Sequence, residues 1–330
     1  MFDIPIVLIT FKRADTVLRI LERVKNVQPQ KIYILSDQGR NAEEIAMVNK
    51  CRASVELAID WPCTIIKNYA KENRGVHANI GLGAKWVFER EKYAIFLEDD
   101  NLPEISFFDY CRELLLKYED DSRILWICGT NYLGKYEPDN NASYMFTRHL
   151  LPCGWASWAN KFNKWYDAEL SLINDNYVVN ELKQTYVDER LYKQQLDSIF
   201  REQRRINRGQ RFASWDYHMA LTIRANNLLG IAPCNNQIKN IGVDGLSTHG
   251  GNDMANIMTK RFCGMESYPL QLPLTHPKTV LVDSKFEKRI SDIILYPLQY
   301  RIKGKIINLI KKVMKIDIDE SLTEAIRRKF

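Results

Sequence analysis

Tyr93-Ala94-Ile95-Phe96-Leu97-Glu98-Asp99-Asp100 is the stretch whose reading decides the fold. Its apolar run is short, lacks polar alternation and stops in three consecutive carboxylates. A run of that kind reads as a strand covered by helices on both sides. Similar runs lie at residues 4–9, 31–35, 64–66 and 124–128, with the quoted strand over 93–97. Between them fall helical patterns at residues 15–25, 42–53, 76–90 and 104–118, the last opening just after Pro103. The alternation predicts βαβ units and a doubly wound α/β domain with a mostly parallel sheet. In such a sheet ligands sit at the carboxyl ends of the strands, which is where Glu98, Asp99 and Asp100 fall.

Like charges do not gather at a buried strand end without a cation. Alternation along the strand puts Glu98 and Asp100 on one side and Asp99 on the other. Hard oxygens of this kind suit Mg²⁺ or Mn²⁺, which in turn bridges phosphate oxygens of a nucleotide. The plainer reading is a solvated strand end whose charge favours the dipole of the helix opening near Glu104. Two neighbouring strand ends bear on the choice. Asp37 closes the second run, and Asn73-Arg74-Gly75 precedes the helix that starts at Val76. A glycine there lets backbone amides approach an anion that Arg74 would neutralise, although an arginine in a loop is also an ordinary surface residue.

Taken together, Pro5-Ile-Val-Leu-Ile-Thr-Phe-Lys-Arg13, Ser36-Asp37, Asn73-Arg74-Gly75 and Phe96-Leu-Glu-Asp-Asp100 resemble nucleotide-sugar glycosyltransferases of the GT-A fold. The likeness is to family-2-like bacterial enzymes and the N-acetylglucosaminyltransferase I group, over roughly residues 4–130 and more loosely to about 250. That resemblance implies a GT-A type fold, a Mn²⁺ or Mg²⁺ cofactor and a nucleoside-diphosphate sugar donor, UDP-sugar first. It implies Thr10 and Arg13 near base and ribose, Asp37 at the nucleoside, Asp99 facing ribose or sugar, Glu98 in the donor site and Asp100 on the metal. Later motifs also look like that group: Cys153-Gly-Trp155-Ala-Ser-Trp158, Trp215-Asp216-Tyr217, and Asn240-Ile-Gly242 through Thr248-His249. By the resemblance Asp216 is the candidate base for an acceptor hydroxyl; from the residues alone it reads first as an N-cap of the run that follows. His249, in Ser-Thr-His-Gly-Gly, is a candidate for the metal or the diphosphate, or a surface histidine. The remaining histidines show no H-x-x-x-H spacing, so a zinc-hydrolase site is not signalled.

Other classes fit less well. Sugar-phosphate nucleotidyltransferases share the layout but usually carry a Gly-rich, Arg-containing loop after the first strand, where this chain has Thr10-Phe-Lys-Arg13 without glycine. An aspartyl phosphatase wants Asp-x-Asp at the strand end, and Glu98 holds the first place. A catalytically inactive, membrane-associated glycan-binding protein is the non-enzymatic alternative.

The second half is aromatic, polar and less periodic. The sequence divides as residues 1–130 for the nucleotide-sugar half, 131–268 for the acceptor half of the same catalytic domain, and 269–330 for an extended linker and tail. Trp155, Trp158, Phe162 and Trp165 recur at intervals of three, four and three, one face of a helix if helical. That stripe reads as core or as a sugar platform, so Trp155, Trp158 and Trp215 are acceptor candidates. Residues 177–207 read as one or two helices, with Arg201, Arg204, Arg205 and Arg208 on one face, solvated or facing an acceptor phosphate. Pro269 to Pro277 reads as extended linker.

Charge completes the picture. Of 47 Lys+Arg and 41 Asp+Glu, net +6, residues 285–330 hold 12 basic and 6 acidic side chains, so the rest of the 330 residues is balanced. A balanced body has no field to steer a polyanion, so nucleic acid is not an expected partner. Residues 301–315 carry six basic residues and no acid, with Ile302, Ile306, Leu309, Ile310 and Val313 on one helical face. Such a helix lies on an anionic membrane surface, or packs on the body or a second subunit with its lysines in solvent. The expected place is the cytoplasm, peripheral on the inner face of the membrane. Seven scattered cysteines without C-x-x-C fit a reducing compartment, and neither a signal peptide nor an eighteen-residue apolar run is seen.

Overall fold

The computed structural model describes residues 1–243 and 257–329. Strands β1 (Ile6–Thr10), β2 (Lys31–Ser36), β3 (Thr64–Tyr69), β4 (Tyr93–Glu98), β6 (Ile124–Cys128), β7 (Tyr144–Thr147), β8 (Trp155–Trp158) and β9 (Leu229–Pro233) form one sheet. Its order is β3-β2-β1-β4-β8-β6-β9-β7. A second small sheet pairs β5 (Asn101–Pro103) with β10 (Ile238–Asn240). Pairings β3·β2, β2·β1, β1·β4 and β6·β9 are parallel, while β8 runs antiparallel between β4 and β6, as β7 does beside β9. The fold is the expected α/β one, with a mostly parallel sheet. All five runs read as strands from the first 130 residues are strands, extended by one to three residues where they differ at their carboxyl ends.

The helices cover both faces: α1 (Ala14–Lys25), α2 (Ala42–Ala58), α3 (Gly83–Phe88), α4 (Ser106–Lys117), α5 (Ala159–Trp165), α6 (Asn176–Leu182), α7 (Glu189–Asn207), α8 (Asp216–Ala225), α9 (Ile257–Phe262), α10 (Ser284–Ile294), α11 (Leu298–Met314) and α12 (Leu322–Lys329). Alternation along the strands divides the core. Leu8, Ile34, Ile95 and Ile127 pack with Val17, Phe107 and Cys111 on one face. Val7, Leu35, Phe96 and Trp126 pack with Ala84, Phe162 and Met219 on the other. Each buried aliphatic or aromatic side chain contributes about 1.5–3 kcal/mol, so this two-faced burial is the main stabilising term.

Three expectations change. The helix expected at 76–90 is a π-turn, Ala78–Leu82, running into α3. Here Gly83 comes so close to β2 that a Cβ would stand 2.8 Å from Leu35 Cδ1. The aromatic stripe is not one helical face: Trp155 and Trp158 lie on β8, three residues apart, and so point into opposite cores. The stretch expected as a linker, 269–277, packs along the body instead. Leu270 and Leu274 are buried, Leu270 N donates to Ser106 Oγ (3.0 Å), and Ser143 N donates to Thr275 O (2.8 Å). The helices expected within 177–207 are α6 and α7.

Candidate active site

β4 ends beside β1, and β5 turns back toward β10, so the acidic tripeptide meets the loop after β1 and the residues after β10 at one point. Asp99 Oδ2 accepts from Phe11 N (3.2 Å). The Arg13 guanidinium is buried, with Nη1 3.9 Å from Asp99 Oδ1 and 3.5 Å from Asp100 Oδ2, and Nη2 donating to Gly242 O (3.3 Å). Asn101, buried, donates from Nδ2 to Asp100 Oδ1 (2.6 Å) and accepts from Gly154 N (2.7 Å). Ile241 N donates to Asp100 O (2.9 Å). Gly242 lies so near that a Cβ there would be 2.7 Å from Arg13 Nη1 and closer still to Asp100 Oδ2.

Electrostatics follow from this crowding. Burial, then the charges of Asp100, Asp99 and Asp216, raise the Glu98 carboxyl well above the usual carboxylate range. Burial also raises Asp100, against the lowering influence of Arg13, Asn240 and Asn101. Among the described residues one arginine, Arg13, lies against the acidic triplet. The donors are hard oxygens, and Mg²⁺ or Mn²⁺ binds through one or two carboxylates together with substrate phosphates. The residues fit such an ion in company with a phosphorylated ligand. Among the described residues no group of three or more His, Cys, Asp and Glu side chains is arranged to hold a metal alone. His249 lies outside the described residues.

Asp216 is the first residue of α8, after Trp215 at the N-cap, and accepts from Ser214 Oγ; it is not itself the cap. The turn before it is tied to α7, because buried Glu202 accepts from Ala213 N (2.6 Å) and Ser214 N (3.2 Å). Asp216 is near enough for its charge to reach Glu98, Tyr132 and Tyr166. Contacts bring together Arg13, Asp99 and Asp100, with Glu98 directly before them, and the packing of Trp215 on Trp155 sets α8, which opens at Asp216, against the sheet face that carries Phe96. Sequence reasoning missed Asn101 and Glu202; only Asn101, directly after the acidic triplet, carried a local signal.

Other expected site residues have structural roles. Arg13 faces Asp99 and Asp100, and Thr10 is buried at the end of β1. Asp37 is buried and its oxygens are fully used: Oδ1 accepts from Gln38 N and Arg74 N (both 2.8 Å), Oδ2 from Asn73 Nδ2 (3.1 Å) and Gly75 N (2.9 Å). No lone pair remains for a nucleoside, and the amides expected to cradle an anion are turned to this carboxylate. Arg74 is likewise engaged, with Nε and Nη2 on Asn79 Oδ1 and Nη1 on Asn68 Oδ1. Gly75 supplies the positive φ of 83° that the turn requires. Asp37, Asn73, Arg74 and Gly75 are one loop lock between β2 and β3.

The acceptor candidates change too. Trp155 and Trp158 are 0% and 1% exposed, Trp155 stacking on Phe96 at 3.8 Å between ring centroids. Neither has a face for a sugar. Trp215 is buried against Trp126 and Trp155 (5.8 and 5.7 Å). The arginine face of α7 is occupied by its own chain: Arg204 forks onto Asp319 (2.7 and 3.0 Å), and Arg208 pairs with Asp317 (2.7 Å).

No family model and no curated protein matches the chain. Among solved structures it is similar to UDP-glucose pyrophosphorylase complexed with UDP-glucose, at 11% identity and a TM-score of 0.36, over 72% of this chain and 92% of that one. It is similar also to HddC from Yersinia pseudotuberculosis, at 11% identity and a TM-score of 0.30, over 52% of this chain and 84% of that one. At such identities and scores no chemistry is carried from those proteins to this chain; the fold stands on its own strand order.

Proposed function

We propose that the chain is a metal-dependent inverting glycosyltransferase, moving a sugar from a nucleoside-diphosphate sugar, UDP-sugar first, to a hydroxyl of a lipid-linked or cell-surface glycan. The observation that supports this reading is that Trp215, directly before Asp216, packs on Trp155 (5.7 Å between ring centroids), which stacks on Phe96 of β4 (3.8 Å), so the start of α8 lies against the strand that ends in the acidic triplet. Two roles are then separable. Asp100, with Asp99 and Glu98 beside it, would hold Mg²⁺ or Mn²⁺ together with diphosphate oxygens, and the bound ion supplies neutralisation of the leaving group. Asp216 takes the proton of the acceptor hydroxyl as its oxygen bonds to the anomeric carbon and the diphosphate departs. Glu202 and Ser214 hold that carboxylate in place. Arg13 keeps Asp99 and Asp100 from repelling one another.

A thermal-shift panel of nucleoside diphosphates with and without Mn²⁺ tests the donor side, since a ligand of the folded state raises its apparent stability. Stabilisation by UDP or dTDP that requires Mn²⁺ and disappears in Asp100→Ala is the expected result; no metal-dependent binding by any nucleotide sinks the reading. Asp216→Ala is expected to lose ~10²–10⁴ in turnover with nucleotide binding retained. A second reading, sugar-phosphate nucleotidyl transfer, shares the sheet layout. Against it, the loop after β1 has no glycine and its Arg13 is turned to Asp99, Asp100 and the Gly242 carbonyl rather than toward a triphosphate. Pyrophosphate release from a nucleoside triphosphate and a sugar 1-phosphate would establish it in place of glycosyl transfer.

A further inference from the structure

An amphipathic helix on a soluble body ordinarily turns its apolar stripe inward. α11 does the reverse. Leu298, Ile302, Ile306, Leu309 and Val313, one stripe at helical spacing, are 49% to 75% exposed, while Lys311 is buried with Nζ donating to Ile318 O (2.8 Å). At 100° per residue Arg301, Lys305 and Lys312 flank the stripe on one side and Lys303 flanks it on the other, with no acid anywhere in the helix. The alternative of a helix packed on its own body by this stripe does not describe it.

The helix is also held at both ends by α7. Near its start, Gln194 Oε1 accepts from Tyr296 N (2.7 Å) and Nε2 donates to Ile294 O (3.0 Å). Beyond its end, Lys315 at a φ of 52° turns the chain back, and Asp317 and Asp319 close on Arg208 and Arg204. These paired charges leave the flanking Arg301, Lys303, Lys305 and Lys312 outside the lock. An exposed apolar stripe edged by cations and fixed to the body fits a surface that is apolar within and anionic at its rim, and the interfacial zone of an anionic bilayer has that order. A soluble acidic protein would match the cations but not the five aliphatic side chains.

We propose that α11 is a preformed docking face for an anionic membrane, seated by its stripe at the headgroup boundary, with the α7 clamp setting how the catalytic body stands on the cytoplasmic leaflet. The docking is independent of the chemistry proposed for the cleft, so each can fail without the other.

Flotation of the full chain with vesicles of phosphatidylcholine, alone or with 30% phosphatidylglycerol, tests this. The wild type is expected to float with the anionic vesicles and to fall off with salt, each basic side chain contributing roughly fivefold to binding. Ile306→Asp/Leu309→Asp is expected to lower partitioning at least tenfold, and Lys303→Glu/Lys305→Glu/Lys312→Glu to abolish the preference for anionic lipid. These side chains are on the surface, so unfolding curves of the variants should overlay the wild type and Mn²⁺-dependent nucleotide binding should persist. Wild type that stays with the unbound fraction, or an aspartate variant that floats as well as wild type, overturns the proposal. So does a dimer, seen by light scattering, that Ile306→Asp/Leu309→Asp disperses without any vesicle binding, because the stripe would then be covered by a second copy.

Discussion

Gly242 meets the end of β4 with backbone alone. Its amide and carbonyl are both engaged, N donating to Asn240 Oδ1 (2.9 Å) and O accepting from Arg13. A methyl group there would have to displace either the Arg13 guanidinium or the Asp100 carboxylate, neither of which is the free end of a surface chain. Gly242→Ala is therefore expected to weaken metal-dependent nucleotide binding at least tenfold, measured by titration, while the far-UV spectrum stays that of the wild type. Unchanged affinity would mean that the loop yields and that the contact positions nothing. The acidic triplet was legible as a candidate site because three carboxylates at the end of an apolar strand are costly without a cation. The role of Arg13 was not, since its partners lie 86, 87 and 229 positions away and no local pattern reports such pairings.

At the scale of elements, the loop after β3 shows why composition misleads about ligands. A glycine and an arginine before a helix are what an anion cradle needs, and they are also what a tight turn locked by a buried carboxylate needs. Asp37 decides between the two, because it accepts four hydrogen bonds from residues 38 and 73–75. Asp37→Ala would leave three backbone amides and one side-chain amide without that acceptor, at about 1–3 kcal/mol for each one that stays buried and unpaired. Thermal unfolding should fall by several degrees or more, and Asp37→Asn, which keeps one acceptor oxygen, should recover part of it. A variant as stable as wild type would return Asp37 to the role of a nucleoside ligand. The tryptophan stripe was ambiguous for a related reason. Spacings of three and four suit a helix, but a strand followed directly by a helix produces the same run, and only the partners of β8 in the sheet resolve it. β1, β2, β4 and β6 were legible because they are almost wholly buried, mainly aliphatic runs, whereas β7, β8 and β9 are equally buried but break the aliphatic run with Thr147, Ser157, Gly230 and Pro233.

Over the whole molecule, stability is tied to histidines that folding keeps neutral. His149 is buried, with Nε2 on Ser291 Oγ (3.0 Å) and Glu287 O (3.1 Å), and its Nδ1 faces Arg224 Nη2 at 3.2 Å. An arginine can only donate, so Nδ1 must keep its lone pair and the ring stays uncharged. Burial pushes His149 down to about 4, and burial, then the neighbouring His77, pushes His218 down to about 4. His77, whose ring centroid is 4.4 Å from that of His218, is lowered as well, chiefly by burial. An unfolded histidine titrates near 6.5, so below that pH the unfolded chain binds protons that the folded chain refuses. The stabilisation is complete above about pH 6.5 and is lost as the pH falls toward 4. A depression of that size corresponds to about 3 kcal/mol for each of His149 and His218, a sizeable part of a total that is commonly 5–15 kcal/mol. Urea unfolding between pH 7 and 4.5 should therefore show a slope that differs by close to one proton at about pH 5 between wild type and His218→Asn, the raised Glu98 and Asp100 carboxyls contributing with the opposite sign equally in both chains. Equal slopes in the two chains would mean that His218 titrates alike folded and unfolded, and that its ring is reached by solvent.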